Sequence, residues 1–379
     1  MEAIPQSGIR EIFDLSRGIP GLTHLELGEP DFHMPGHICE AAIRALQNDI
    51  TKYTPNAGAE ELRQVISEKL ARENKIDADP RYEILVTTGA MGALALGLTS
   101  IVRQNDEVII PEPCFVNYGP QVMLAGGKPI FVPLQEEEDF RLTPEILENA
   151  ITTRTRAILL NSPSNPTGAV ERLEDLRGIA DIALDHDLWV ISDESYERIT
   201  FDGTKHYSIA ALPDMFERTL STFSLSKTYA MTGMRVGYAA SDKGLAGLIT
   251  KLQEHTVACV NSVAQQAAIA ALTGPQTCVD EMVMQYKERR DVLVDGLNKA
   301  GLVCRKPPGT FYVFPNIEGT KYNSRLFSDK LIKEAKVVTV PGSVFGKSGE
   351  GHIRLSYATQ MTNIQMAVEH INEFCSKAT

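Results

Sequence analysis

A chain of 379 residues, at ~150 residues per domain, is long enough for two or three domains with real cores. With 43% hydrophobic and 23% charged residues it is neither disordered nor fibrous nor a disulfide knot. The 37 Lys and Arg stand against 49 Asp and Glu, a net charge of −12 that repels nucleic-acid phosphates and anionic lipid surfaces, so chemistry on small molecules is expected. Cys39, Cys114, Cys259, Cys278, Cys304 and Cys375 are scattered without a CxxC spacing and read as reduced thiols, and no metal is expected. No stretch approaches the ~18 apolar residues of a membrane span, and no apolar run follows a basic patch at the N-terminus, so the expected location is the cytoplasm.

From Lys52 onward short apolar runs bounded by turn residues alternate with helical patterns, which is how a parallel sheet with crossover helices reads. The predicted strands are 83–89, 107–111, 128–134, 157–163, 189–195, 219–224 and 236–241, each of ordinary strand length and together enough for one large sheet. Between them, 171–187 places Leu173, Leu176, Ile179, Ala180 and Ala183 at helical spacing. Near Gly274 and Pro275 the pattern changes to a long amphipathic helix with Val279, Met282, Val283, Tyr286, Leu293 and Leu297 on its buried side. A second domain is expected to begin there, with strands at 309–315, 336–342 and 352–358 and a closing helix from Thr362. The fold class is therefore α/β, a mostly parallel seven-stranded sheet in a large domain plus a smaller α+β domain.

The strongest local signal is SLSKTYAMTGMRVGY, residues 224–238, where Lys227 follows a strand end and Arg235 comes eight residues later. A lone lysine is most often a solvated charge. This one stands among small polar residues at the carboxyl edge of a predicted parallel strand, where open α/β sheets place their ligands. A lysine amine there can condense with an aldehyde cofactor, of which pyridoxal phosphate is the usual one. That cofactor needs an acidic partner for its ring nitrogen, anion donors for its phosphate, an aromatic against its ring and donors for its phenolate oxygen.

Each need has a candidate. Asp193, in WVISDESY, ends an apolar strand, where a carboxylate is costly without a cation or donor; a helix cap is the equal alternative for that residue alone. Tyr196 offers a phenol and Asn165, in SPSNPTG, an amide, although an ordinary buried aromatic and a turn explain them as well. TTGAMGAL, residues 87–94, reads as strand, small-residue turn and helix, whose free N–H groups at the helix N-terminus form an anion site. It matches neither GxGxxG nor a Walker sequence, which argues against dinucleotides and nucleoside triphosphates. Phe115, in PEPCFVNYGP, follows another strand end and could stack on a ring.

Taken in order, LGEPDF (27–32), KYTPNAG (52–58), TTGAMGAL, PEPCF, NPTG, SDESY, SLSK and HIRLSYA (352–358) resemble the class I and II aminotransferases, pyridoxal phosphate enzymes of fold type I, over essentially the whole chain. The resemblance implies that Lys227 binds the cofactor covalently, with Asp193 on the ring nitrogen, Asn165 and Tyr196 on the phenolate and Phe115 on the ring face. It implies that Gly89, Ala90, Met91, Ser224 and Arg235 hold the phosphate, that Tyr53 reaches the phosphate of a partner subunit in a homodimer, and that Arg354 clamps the substrate carboxylate beside Gly28 and Asn165. The implied layout is an N-terminal arm at 1–36 shared with the small domain, a large cofactor domain at 37–275 and a small domain at 276–379. The implied reaction moves an amino group from an L-amino acid to a 2-oxo acid such as 2-oxoglutarate by a ping-pong sequence. Because no arginine is placed by motif to meet a second carboxylate, aromatic or other uncharged donors are expected. An aspartate-type enzyme and a carbon-sulfur β-lyase on the same fold are the alternatives. A regulatory, binding-only module is disfavoured by the missing DNA-binding segment and the negative charge.

Overall fold

The computed structural model describes Ile4 and residues 8–378; of the expected N-terminal arm, residues 1–3 and 5–7 lie outside the described residues. The strands in chain order are β1 Thr23–His24, β2 Ile84–Thr87, β3 Glu107–Glu112, β4 Lys128–Pro133, β5 Thr155–Asn161, β6 Trp189–Asp193, β7 Thr219–Ser224, β8 Gly237–Ala240, β9 Tyr312–Val313, β10 Val337–Val338, β11 Val340–Pro341 and β12 Ile353–Ser356. Strands β2 to β8 form one sheet in the order β2-β8-β7-β6-β5-β3-β4. Only β8 runs antiparallel to its neighbours, β2 and β7.

Alternate residues of the central strands bury against opposite faces of this sheet. Ile158, Leu160 and Val190 join the core formed with the helix Leu173–Asp185, whereas Ala157, Leu159 and Ile191 join the one formed with the helices Gly89–Ile101 and Lys243–Thr256. Helices on both faces explain why the strand sequences read as continuous apolar runs. In the helix Leu173–Asp185 the residues Leu176, Ile179, Ala180 and Ala183 are buried, as the spacing predicts.

The C-terminal part is built on the long helix Thr277–Lys299, which buries Val279, Met282, Tyr286, Leu293 and Leu297. Here the strands are shorter than their sequence patterns suggest. Within 309–315 only Tyr312–Val313 forms a strand, Gly309 making an isolated bridge to Thr200, because Thr310 between them takes a left-handed conformation with φ 63°. The run 336–342 is split between two sheets: β10 pairs in parallel with β1, while β11 pairs with β12, itself paired with β9. A two-residue strand such as β1 has no detectable period, yet it ties the N-terminal segment to the C-terminal part. The closing helix spans Met361–Ala378. Cys39, Cys114, Cys259, Cys278 and Cys304 are free thiols, and no helix among the described residues is long and apolar enough to cross a membrane.

The register of the central strands positions the chemistry. Asn161 of β5 lies opposite Asp193 of β6, and Asp193 opposite Thr222 of β7, so β5 and β6 end level with one another at their carboxyl edge and β7 runs two residues further, to Ser224.

Candidate active site

Lys227 sits on the short helix Leu225–Thr228 that follows β7, capped by Ser224, whose side chain accepts from the Ser226 N–H at 3.2 Å. Its ammonium donates to the Gly28 carbonyl at 2.5 Å. Burial lowers the Lys227 pKa to about 8, and the positive charges of Arg354 and Arg235 act in the same direction while Glu29 opposes them. Gly28 has to be glycine for space, since a Cβ there would stand 2.5 Å from the Tyr312 hydroxyl.

Asp193 is 6% exposed at the end of β6. One carboxylate oxygen accepts from the Ser195 N–H at 3.1 Å and the Ser195 hydroxyl at 2.6 Å, the other from the Tyr118 hydroxyl at 2.8 Å. Burial nevertheless raises its pKa, the hydrogen bonds opposing. A carboxylate so desolvated is poised to pair with a cation. Behind it, Glu194 accepts from the Ser192 hydroxyl at 3.1 Å and lies 2.7 Å from His206 Nε2, which pins the turn that carries Asp193 and Tyr196.

At the opposite end stands Arg354 of β12, 1% exposed. It donates to the Asn165 side chain at 2.9 Å and the Glu26 carbonyl at 2.7 Å, and its guanidinium lies 4.3 Å from the Tyr312 ring centre and 4.9 Å from that of Phe345. The Arg354 Nε is buried with no partner. Asn165 is itself held by Asn161, which accepts from its backbone N–H at 2.9 Å and donates to the Asp193 carbonyl at 3.0 Å. Tyr196 and Tyr312 share a hydrogen bond of 3.0 Å, and burial raises both phenols, which keeps them protonated.

The third corner is the start of the helix Gly89–Ile101. Gly89 has φ 70°, and a Cβ on it would stand 2.8 Å from Arg235 Nη2. Arg235, also left-handed at φ 53°, donates to the Thr232 carbonyl at 2.8 Å. The uncapped first N–H groups of the helix and this guanidinium together make an anion site.

These groups face one cavity of about 300 Å³ lined by Gly28, Ala90, Met91, Phe115, Asn165, Asp193, Tyr196, Ser224, Lys227, Arg235 and Arg354. Of the residues singled out in the sequence, Gly89 stands just behind the wall, against Arg235. Tyr53 is not in the cavity at all; it is 90% exposed. Tyr118, Asn161, Ser195, Tyr312 and Ile9 also line the cavity and carry no signal of their own in the sequence. Tyr118 stands three residues after Phe115 in the same strand-end segment, and that proximity is the one clue that could have found it.

The sequence pattern of the family Aminotransferase class I and II matches residues 20–371. The chain belongs to this aminotransferase family. It is 45% identical over 98% of its length, and 96% of the other's, to the aromatic-amino-acid aminotransferase 2 of Thermococcus litoralis, and equally so to the aspartate aminotransferase of Pyrococcus abyssi. The crystal structure of the aromatic aminotransferase of Pyrococcus horikoshii superposes with a TM-score of 0.93 at 44% identity, covering 97% of this aminotransferase and 99% of that chain. The enzyme is thus a fold type I, pyridoxal-phosphate-dependent aminotransferase acting on amino acids and 2-oxo acids. Its cavity fits that cofactor. A desolvated amine, a buried carboxylate at the far strand end, an anion site at a helix start and an orphaned Arg354 Nε are the groups its aldehyde, ring nitrogen, phosphate and carboxylate substrate require.

Proposed function

We propose that this aminotransferase takes its amino group from an aromatic or other uncharged L-amino acid and delivers it to a 2-oxo acid such as 2-oxoglutarate. Pyridoxal phosphate supplies the aldehyde that takes up the amino group and the ring that accepts the electron pair when the Cα–H bond breaks. Lys227 holds the cofactor and, once displaced by substrate, its Nζ takes the α-proton and returns it; a pKa near 8 leaves this amine partly neutral at neutral pH. Asp193 pairs with the ring nitrogen, Tyr196 and Asn165 face the phenolate oxygen, and Phe115 lies against the ring. Ala90, Met91, Ser224 and Arg235 hold the phosphate, with Gly89 leaving room for Arg235. Arg354, seated on Asn165 and the Glu26 carbonyl, orients the substrate carboxylate beside Gly28.

One observation carries the donor preference. Among the described residues the cations lining the cavity are Lys227, Arg235 and Arg354, and each has a task in this reading, so none remains for a second carboxylate. Arg17 and Arg325 do not line it, and Arg325 pairs with Glu11 and Asp329. The rest of the lining includes the apolar Ile9 and Leu94. An unpaired carboxylate buried there costs several kcal/mol. Single-turnover half-reactions with Phe, Tyr, Ala, Lys, Asp and Glu, followed by cofactor absorbance, are expected to run at least tenfold faster for Phe and Tyr than for Asp. A faster reaction with Asp overturns the preference.

The same proposal includes a homodimer, in which the partner subunit's copy of the segment around Tyr53 completes each phosphate site. It is supported by the exposure of Tyr53 and of the nearby apolar Ile43, Leu46 and Ile50. It also includes a large cofactor domain at 37–275 and a small domain from 276–379 joined by the arm 1–36, which the β1 to β10 pairing supports.

A further inference from the structure

The turn that presents Asn165 to the active site has a second face. Its next residues, Thr167, Ala169 and Val170, line a separate cavity of about 360 Å³ closed on the other side by the segment 305–308 and Phe314. Ligand pockets begin at about 300 Å³.

Charge and shape in this cavity are distinct. Arg141, Arg172, Arg305 and Lys306 line it against two acids, Glu136 and Asp139. Both acids are already shared. Asp139 accepts from Arg305 at 2.5 Å and lies 3.8 Å from Arg172, while Glu136 accepts from Asn316 at 2.9 Å and stands 3.2 Å from His352. Arg141, its side chain only 9% exposed, is paired with Asp175, and its Nε is buried without a partner. The lining itself carries four basic side chains against two acids, with Lys306 also paired to Asp291 at 3.1 Å and Arg141 3.6 Å from Glu138, and it keeps one buried N–H donor, the Arg141 Nε, without a partner. The apolar part of the wall is Phe140 set edge-on to Phe314 at 5.9 Å, with Pro307 and Pro308 beside them. Flat, rigid surfaces of this kind suit a planar ring.

We propose that this cavity is a second ligand site of the aminotransferase, one that binds a small aromatic carboxylate, its ring against Phe140, Phe314 and the two prolines and its carboxylate on the arginines. The site is separate from the cofactor cavity and shares no lining residue with it.

Indole-3-acetate, which carries no amino or oxo group to react, is the probe, titrated by calorimetry into the holoenzyme. Saturable binding is expected to persist in Arg354→Leu, which disables the carboxylate seat of the active site. It is expected to weaken at least tenfold in Arg305→Glu and in Lys306→Glu, with kcat and KM in the absence of the probe unchanged. Both side chains are about half exposed, so these charge reversals leave the core intact, and cofactor absorbance with thermal melting checks the fold of each variant. Acetate is expected to bind at least tenfold more weakly than the probe. Absence of saturable binding, loss of binding in Arg354→Leu, unchanged binding in both charge reversals, or equal affinity for acetate overturns the proposal.

Discussion

The Lys227 amine is held in a place that makes it reactive before any ligand arrives. At pH 7 a lysine of ordinary pKa leaves about one amine in three thousand neutral, whereas a value near 8 leaves about one in ten. Only the neutral amine attacks an aldehyde. The rate at which the apoenzyme captures pyridoxal phosphate, read by absorbance, is therefore expected to rise about tenfold per pH unit below 8 and to level off above it. A midpoint above 9.5 would show that burial does not govern this amine. Lys227→Ala is expected to retain cofactor affinity through the phosphate and ring contacts and to lose turnover by several orders of magnitude. Lys227 and Asp193 were legible in the sequence because each stands at or just after a strand end, among small or polar residues, and Arg235 because it follows Lys227 by eight residues, just before β8. Tyr118 was not, because its role comes from a hydrogen bond to Asp193 across 75 residues.

At the scale of elements, the connection from β5 to the helix Leu173–Asp185 hides a second perturbed carboxyl. Glu171 accepts from the Leu142 N–H at 3.0 Å through one oxygen, the other is buried with no partner, and burial pushes its pKa up to about 7. A carboxyl whose folded value lies above its unfolded value binds its proton more tightly in the fold. It therefore costs nothing below about pH 4.5, costs progressively more as pH rises toward 7, and at pH 8 opposes folding by up to ~3 kcal/mol. Glu171→Gln keeps the acceptor for Leu142 and removes the charge. Urea unfolding is expected to show the variant more stable than the parent at pH 8 and level with it at pH 4.5. Equal stability at both values would mean that the carboxylate finds a partner in solution. Helix and strand positions at this scale followed the sequence pattern wherever an apolar run was long, as in β5 or the helix Thr277–Lys299. They departed from it at 336–342, where two residues serve one sheet and the next pair another, because pairing partners and not local propensity end such short strands.

At the scale of the molecule, the exposed Tyr53 is the test of assembly. Lys227→Ala and Tyr53→Glu chains are each expected to be nearly inactive alone. If each site draws on both subunits, a mixture allowed to exchange subunits regains activity, up to about a quarter of the parent value, since half the dimers are mixed and each holds one intact site. No recovery after demonstrated exchange would place Tyr53 outside the partner's site.

What the sequence by itself determined is the periodic and local part of this enzyme: the seven strands of the large sheet, the helices that cover them, and the ordered strand-end motifs from LGEPDF to HIRLSYA. These are legible because burial on both faces imposes continuous apolar runs, and because a ligand site at the carboxyl edge of a parallel sheet draws small and polar residues to the turn after each strand. The tertiary structure alone decided which strands are neighbours, and hence that Asn161, Asp193 and Thr222 stand level. It also decided that Arg354 is seated between Asn165 and Glu26, residues 189 and 328 positions away, and that a second, basic cavity lies behind the same turn. Such contacts depend on register and chain crossing, and a linear pattern carries no record of either.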